Sequence, residues 1–390
     1  MSRYLFLVIV ILCMNASVVF SCKQKKDAQI IDINEVYLPL PDKVKHPDNN
    51  KPNEDKINLG KLLFYDPILS GNKDVACATC HHPEFGYAES LDLSIGVNGN
   101  GLGTERKFKT PNTIPRVKRN AHTILNTAFN GIDINSNYTP LNSPMFWDAR
   151  ENSLEDQALM PIQSYEEMRG PHFSQEVILD TIVNRLKYIP EYVQLFKEAF
   201  KDNGTITEVT ISKAIACFER TLVTNNSRFD TYLKGDESAI SQAEMDGFNL
   251  FKKAKCNACH NGPMFSDYKM HVLGVADNDK LKLSDSGFQK SYAFKTPTLR
   301  NLRYTVPYMH NGTFNTLQEV LEFYQDLSSG HSKNINVQNH QIDSLVKGSP
   351  LKVKDMSLII SFLNSLNSED FDKSIPKAVP SKLSVGGNIY

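Results

Sequence analysis

Apolar residues recur every three or four positions over long stretches of this chain, which is the spacing of one face of an α-helix. Alternation of apolar and polar residues, the pattern typical of strands, is sparse. Loops rich in Gly, Asn and Pro, such as 96–103, separate the helical stretches. The sequence therefore predicts a mainly α fold. The predicted helices are 154–160, 176–186, 192–200, 209–223, 242–251, 317–324 and 356–366.

A weak internal repeat divides this pattern into two halves. The stretch 59–64 (Leu-Gly-Lys-Leu-Leu-Phe) precedes a first Cys-x-x-Cys-His motif, much as 247–251 (Gly-Phe-Asn-Leu-Phe) precedes a second one. An Arg-Asn pair follows each motif, at 119–120 and at 300–301. The repeat predicts two related helical domains, joined by a polar turn.

The first residues read as an export signal, in which Arg3 is followed by an apolar run that extends to Phe20. A membrane-spanning helix is the alternative, because the run is nearly long enough to cross a bilayer. The residues around Cys22 resemble a lipoprotein cleavage site, which predicts a lipid on this cysteine and a protein anchored to the membrane on the periplasmic side. The predicted organisation is a signal peptide over 1–21, a tether over 22–55, a first domain over 56–234, a second domain over 235–375 and a tail over 376–390.

Charge excludes one class of partner. Lys and Arg number 43 and Asp and Glu number 44, which gives a net charge of -1, and no block of basic residues is long enough to hold a phosphate backbone. We therefore expect no nucleic acid partner.

Seven cysteines in an exported chain suggest disulfides, but their positions favour another use. Cys13 lies in the predicted signal, and Cys217, alone in an apolar helical stretch, is expected to be an inert core thiol. Four others form two Cys-x-x-Cys pairs, each followed at once by a histidine. Two thiols one helical turn apart reach the two vinyl groups of one porphyrin, and the histidine supplies a nitrogen ligand to iron. The two predicted haem attachment motifs are Cys77-Ala-Thr-Cys80-His81 and Cys256-Asn-Ala-Cys259-His260.

Two other uses of these cysteines stay open at this point, a redox-active Cys-x-x-Cys and a zinc site that pools cysteines from both motifs. The immediate histidine favours haem. The expected fold is thus mainly α, with two cytochrome-c-like helical domains that each hold one covalently attached haem c, and with long connecting loops. We assign no iron to His82, the residue after His81.

Further segments occur around and between the motifs. They are Cys80-His-His-Pro83, Phe146-Trp-Asp-Ala-Arg150, Ser153-Leu-Glu-Asp-Gln-Ala-Leu159, Ala216-Cys-Phe-Glu-Arg-Thr-Leu222, Thr296-Pro-Thr-Leu-Arg-Asn301 and Tyr308-Met-His-Asn-Gly312. In this order they resemble the bacterial di-haem cytochrome c peroxidase and MauG family, over roughly 58–366.

This resemblance assigns roles to residues of both halves. It implies that His81 binds the iron of a peroxide-binding haem in the first domain, and that His260 binds the iron of an electron-storing haem in the second. Trp147, the only tryptophan, matches a tryptophan that lies between the haems. Gln157 and Glu167, ten and twenty residues after it, match the pair beside the peroxide-binding iron. Without the resemblance, they would be read as a surface amide and a solvated acid.

The second haem departs from the commoner peroxidase pattern. Tyr324, fourteen residues after His310, stands where many members have a methionine ligand and the MauG branch has tyrosine. The resemblance implies that Tyr324 is the second ligand of this iron, although a packed aromatic is the alternative and Met309 and Met264 lie nearby in sequence. His310 is expected to bond a haem propionate.

A calcium site and an open first haem are also implied. The resemblance places Ca2+ between the domains, on the side chain of Asn120 and the carbonyls of Thr305 and Pro307, and oxygen donors suit this ion. Some members carry a histidine that blocks the first haem. None occurs between His82 and Asn120, so this haem is expected to be five-coordinate unless His122 reaches it.

The leading functional hypothesis is a peroxidase that reduces hydrogen peroxide with electrons from a small redox protein, such as a cytochrome c or a cupredoxin. A MauG-like oxidase that modifies a partner protein is the second hypothesis, and a di-haem electron carrier without catalysis is the third. A homodimer is a further expectation from the resemblance.

Overall fold

The computed structural model of this chain describes residues 37–390. The predictions that fall on 1–36, including the signal and Cys22, lie outside the described residues. The helices are α1 (Glu54–Tyr65), α2 (Cys77–Cys80), α3 (Leu154–Gln163), α4 (Ile178–Lys187), α5 (Pro190–Phe200), α6 (Glu208–Glu219), α7 (Arg228–Leu233), α8 (Gln242–Lys253), α9 (Leu317–Leu327) and α10 (Val353–Ser365). In residues 37–390, two short antiparallel pairs are the only sheets, β1 (Gly99–Asn100) with β2 (Lys107–Phe108) and β3 (Met270–His271) with β4 (Phe294–Lys295). The predicted mainly α fold is confirmed.

Two differences from the predicted helices have a visible local cause. The helix predicted over 209–223 ends at Glu219, because the backbone N–H of Thr224 bonds instead to the Asn126 side chain at 2.7 Å. Helix α1 was not among the predicted helices, and it begins inside the predicted tether. The Asn53 side chain caps it by accepting a hydrogen bond from the Lys56 N–H.

The two halves share one helix crossing, which gives the sequence repeat a physical meaning. Gly60 of α1 lies against α6, where an added Cβ would come within 1.9 Å of the Ala214 carbonyl oxygen. Gly247 of α8 lies against α10 in the same way, with the Leu358 carbonyl oxygen also at 1.9 Å. Only glycine allows backbones this close. Helix α6 of the first crossing borders the cavity of the first Cys-x-x-Cys-His motif, and both helices of the second crossing border that of the second motif.

Buried ion pairs join the segments that carried the family resemblance. Arg220 of α6 grips Glu155 of α3 through two hydrogen bonds of 2.6 and 2.8 Å. Arg300 grips Asp230 of α7 through bonds of 2.7 and 2.8 Å. Because each pair is bidentate, it fixes the relative position of two elements.

The segments at both ends of the described chain pack onto the helices. Tyr37 and Leu40, in the predicted tether, are buried, and the Tyr37 hydroxyl donates to the His260 carbonyl at 3.1 Å. The last residues return to the first motif, where the Thr79 hydroxyl donates to the Gly386 carbonyl at 2.7 Å. Val379 and Ile389 are buried there. We call residues 376–390 the C-terminal strap.

The predicted boundary near 234–235 falls between α7 and α8. The division into two domains stays a prediction. Within residues 37–390, no helix combines the length and apolar character that crossing a membrane requires.

Candidate haem sites

The first motif borders a large cavity. Helix α2 carries Cys77 and Cys80, and the following His81 closes the turn by donating its N–H to the Cys77 carbonyl at 3.0 Å. The ring Nδ1 of His81 lies 3.0 Å from the Tyr87 carbonyl oxygen. This bond places the ring proton on Nδ1, so Nε2 keeps the lone pair that a metal ion needs. The cavity measures about 1970 Å³ including its mouth.

The second motif repeats this arrangement. The His260 N–H donates to the Cys256 carbonyl at 2.9 Å, and its ring Nδ1 lies 2.9 Å from the Phe265 carbonyl oxygen. A second cavity of about 1870 Å³ contains Cys256, Cys259 and His260 in its wall. In both histidines, a hydrogen bond from Nδ1 to a backbone carbonyl oxygen therefore selects the tautomer that leaves Nε2 free.

These features fit two haem groups and fit the alternatives poorly. Burial raises the pKa of Cys77 and of Cys256 to about 12, whereas a redox-active pair needs a lowered thiol pKa. The four motif cysteines border different cavities and form no disulfide. Among residues 37–390, the only three His, Cys, Asp or Glu side chains close enough to share a metal ion are Cys259, Asp267 and His271, so a zinc site pooled from both motifs does not form.

Glu167 and Gln157 both border the first cavity, as the resemblance implied. Gln157 projects from α3, and Glu167 lies in the π-helical turn that follows it, Tyr165–Arg169. Burial raises the pKa of Glu167 to about 7, against the opposing effect of Arg150. Gly96 allows the neighbouring loop to press on this turn, since a Cβ there would lie 2.2 Å from the Glu167 carbonyl oxygen.

Trp147 lies in a wall that both cavities share. It is buried, and its indole N–H donates to the Asn120 carbonyl at 3.0 Å. Its ring stacks on His122 with centroids 4.0 Å apart, and His310 meets its edge at 6.4 Å. His310 in turn stacks on Phe294 at 3.7 Å. A continuous row of aromatic rings thus lines this wall.

Tyr324 of α9 borders the second cavity together with Cys256 and Cys259. Burial raises the pKa of its phenol, so the phenolate form requires a metal ion to displace the proton. The geometry places Tyr324 on the same cavity as His260. Whether it is an iron ligand stays a prediction.

The three predicted calcium ligands also border the second cavity. Asn120 is held on several sides, since its N–H donates to the His310 carbonyl at 2.8 Å and its amide donates to the Leu91 carbonyl at 2.7 Å. The side-chain oxygen of Asn120 is therefore the atom of its amide group that is left to bind an ion. Thr305 and Pro307 would contribute their backbone carbonyl oxygens to the ion. The calcium site stays a prediction.

Several residues of these walls carried no signal in the sequence. Lys295 borders both cavities, and burial lowers its pKa to about 8. His271 lies between two carboxylates, with Nδ1 2.6 Å from Asp343 and Nε2 3.2 Å from Asp267. Glu219 borders the first cavity with a buried carboxyl. For Glu219, the one signal in the sequence was its position in the segment 216–222, which is part of the family resemblance.

Comparison with known proteins identifies the family. A sequence profile described as di-haem cytochrome c peroxidase matches residues 54–238. The chain is 33% identical to the methylamine utilization protein MauG of Methylorubrum extorquens over 86% of this chain and 85% of that protein. It is 31% identical to the cytochrome c551 peroxidase of Nitrosomonas europaea, over 91% of this chain and 90% of that protein.

Solved structures agree. A MauG-like protein associated with microbial copper homeostasis has a TM-score of 0.67 at 27% identity, covering 85% of this chain and 95% of its own. The di-haem peroxidase BthA of Burkholderia thailandensis has a TM-score of 0.63 over 88% of this chain and 97% of its own; at 18% identity, this likeness shows the fold alone. Relatives of both kinds, MauG proteins and cytochrome c peroxidases, span most of the sequence. The chain therefore belongs to the di-haem cytochrome c peroxidase and MauG family, whose members carry two haems.

Proposed function

We propose that this protein reduces hydrogen peroxide to water at the first cavity, with electrons that a small redox protein delivers to the second. A cytochrome c or a cupredoxin is the expected donor. The observation that carries the proposal is that Glu167 and Gln157 border the same cavity as His81. An electron carrier needs no such acid and amide beside its iron.

The haem held by Cys77, Cys80 and His81 would supply an iron that binds peroxide and changes oxidation state. Glu167 would accept a proton from peroxide and return it to the departing oxygen, which then leaves as water rather than hydroxide. A carboxyl with a pKa of about 7 can do both near neutral pH. The Gln157 amide orients the peroxide by hydrogen bonding.

Trp147 is proposed to carry electrons between the two sites. It borders both cavities, and its indole is held in place by the Asn120 carbonyl and the His122 ring. A ring fixed on several sides keeps its distance to both cofactors constant. Transfer then does not depend on a rearrangement of the wall.

Replacing Glu167 tests the proposal. Glu167→Gln keeps the shape of the side chain but removes the proton acceptor, and turnover of peroxide is expected to fall by about 10²-fold or more while both haems remain attached. Glu176→Gln, an exposed acid, is the matched control and is expected to keep full turnover. Full turnover by Glu167→Gln would remove this residue from the mechanism.

A MauG-like oxidation of a partner protein is the second candidate, and Tyr324 is the observation that favours it. A phenolate is a harder, anionic donor than a methionine sulfur and favours oxidised iron. The distinguishing measurement is the spectrum of the fully oxidised protein after addition of peroxide, for the native chain and for Tyr324→Met. A long-lived change that the variant loses favours the MauG-like activity, whereas a need for prior half-reduction favours peroxide reduction.

Location and metal content complete the proposal. We propose a lipid anchor on Cys22, a position on the periplasmic side of the membrane, and one Ca2+ on Asn120, Thr305 and Pro307. Metal analysis after treatment with a calcium chelator tests the last point. Loss of one Ca2+ per chain is the expected result.

A further inference from the structure

Glu219 is a buried acid of the first cavity to which the proposed mechanism gives no role. It lies at the last turn of α6 and is 4% exposed. Its Oε2 is buried without a hydrogen-bond partner, and its side chain borders the same cavity as His81 and Glu167. A buried carboxyl oxygen without a hydrogen-bond partner lowers the stability of the folded protein. The fold keeps Glu219 at this position despite that cost.

The surroundings of Glu219 leave it without a cation of its own. Arg220 follows it on α6, but both of that guanidinium's terminal nitrogens bond Glu155 of α3. Glu155 itself adds negative charge, and the Cys77 thiol faces Glu219 from α2. From α1, Lys56 is occupied by Asn50 and the Lys51 carbonyl. Burial accordingly raises the pKa of Glu219 to about 8, and the group carries a proton at neutral pH.

The proton balance of peroxide reduction calls for such a group. The reaction joins one H2O2, two electrons and two protons to give two molecules of water. Glu167 moves a proton that the peroxide already carries, so it supplies neither of the two that are taken up. The electrons come from the reduced donor protein, and the protons must enter the first cavity from solution.

We propose that Glu219 is a second proton-handling group of the first cavity, which donates one of the two protons taken up when peroxide is reduced. The inference rests on the proposed function. On donation, the O–H bond of Glu219 breaks, a new O–H bond forms on a peroxide-derived oxygen, directly or through water, and the carboxylate is protonated again from solution.

The test compares the native chain, Glu219→Gln and the exposed control Glu176→Gln over a range of pH. Gln has the shape of the protonated acid, so folding and haem content are expected to be unchanged. At pH 7, turnover by Glu219→Gln is expected to fall about 10- to 100-fold. The native rate is expected to fall above a pH of about 8, where Glu219 loses its proton, and the variant is expected to lack this decline. Glu219→Asp, which retains a carboxyl, is expected to restore it.

Infrared spectroscopy gives a readout that does not depend on turnover. The native protein is expected to show the carbonyl band of a protonated carboxylic acid at pH 7, which titrates near pH 8 and is absent from Glu219→Gln. A pH profile of Glu219→Gln that overlays the native one, or an unchanged infrared band, would overturn the inference. If the native chain itself turns over no peroxide, the proposed function fails instead, and the infrared band still decides the state of Glu219.

Discussion

At the scale of single residues, the proposed mechanism requires opposite protonation states of two acids that border the first cavity. Glu167 must begin as a carboxylate to accept a proton, and burial raises its pKa to about 7. Glu219 must begin protonated, and its pKa is about 8. Under the proposed mechanism, peroxide turnover is expected to be highest near pH 7 to 8.

On the acidic side of that optimum, the fall in peroxide turnover is expected to come from protonation of Glu167. Below a pH of about 7 its carboxyl is protonated and cannot take the peroxide proton, so kcat/KM for peroxide is expected to fall about tenfold for each pH unit. Steady-state rates between pH 5 and 8 check this. A rate that stays level down to pH 5 would contradict it, and Glu167→Gln is expected to lose the dependence along with most of the activity.

Trp147 gives a second prediction at this scale. Trp147→Phe removes the indole N–H and leaves the half-buried Asn120 carbonyl without this donor, which is expected to lower the free energy of unfolding by about 1 kcal/mol. It also shrinks the ring that His122 stacks on. Electron transfer between the sites, followed by stopped-flow absorbance after mixing the reduced protein with peroxide, is expected to slow. Tyr188→Phe, at an exposed aromatic, is the control for which no slowing is expected.

The sequence located the motif residues because covalent haem attachment requires a fixed local spacing. It could not locate His122 or Lys295, because their place in the shared wall depends on contacts with residues far along the chain. It placed Glu167 at the first haem only through resemblance, since a lone acid after a helix usually faces solvent; the residue does border the first cavity, and its role stays a prediction. The π-helical turn that aims it into the cavity has no evident local signature.

At the scale of helices, the two glycine crossings determine how closely two helices pack within each half, α1 on α6 in the first and α8 on α10 in the second. Gly60→Ala and Gly247→Ala each place a methyl group where a carbonyl oxygen lies 1.9 Å away, so the helices must separate. We expect each to lower the free energy of unfolding by about 1–3 kcal/mol, although alanine is otherwise the better helix former. Thermal or denaturant unfolding of the haem-loaded protein measures this.

Matched controls exist on the same helices. Asn58→Ala and Asn249→Ala introduce alanine at exposed positions of α1 and α8, where there is room, and are expected to be neutral or slightly stabilising. Equal effects at the glycines and at the asparagines would refute the close-packing argument.

Helix positions were largely predictable because each helix carries an apolar face. The end of α6 was not, because a tertiary contact ends it: Thr224 bonds to Asn126, which is 98 residues away in the chain. Helix α1 was missed because its sequence is weakly amphipathic and follows a segment that contains several prolines. For α6, a distant partner outweighed the local pattern.

At the scale of the whole molecule, the C-terminal strap connects the end of the chain to the first haem motif. Ser381 bonds the buried Asp66 at 2.6 Å, and Arg106 donates to the Asn388 carbonyl at 2.9 Å. Val379 and Ile389 bury apolar side chains in the first half. The strap is therefore part of that half, although it follows the second half in sequence.

Deleting residues 376–390 is expected to destabilise the first half. Loss of two buried aliphatic side chains alone removes about 1.5–3 kcal/mol each. Haem content and the unfolding transition of the first site are the measurements, and Lys377→Ala, at an exposed strap position, is the control. A milder variant, Thr79→Val, removes the hydroxyl that donates to the Gly386 carbonyl and accepts from the Ala76 N–H, and is expected to cost about 1–3 kcal/mol. An unchanged transition in the truncated protein would show that the strap contributes no stability.

The strap also imposes an order on biogenesis. The first motif is synthesised well before the strap residues that pack against it, since 307 residues separate Thr79 from Gly386. We therefore expect Cys77 and Cys80 to be most accessible for haem attachment before the strap has packed. A bulky reporter fused directly after Tyr390 would intrude on that packing step, and an affinity tag is better placed elsewhere.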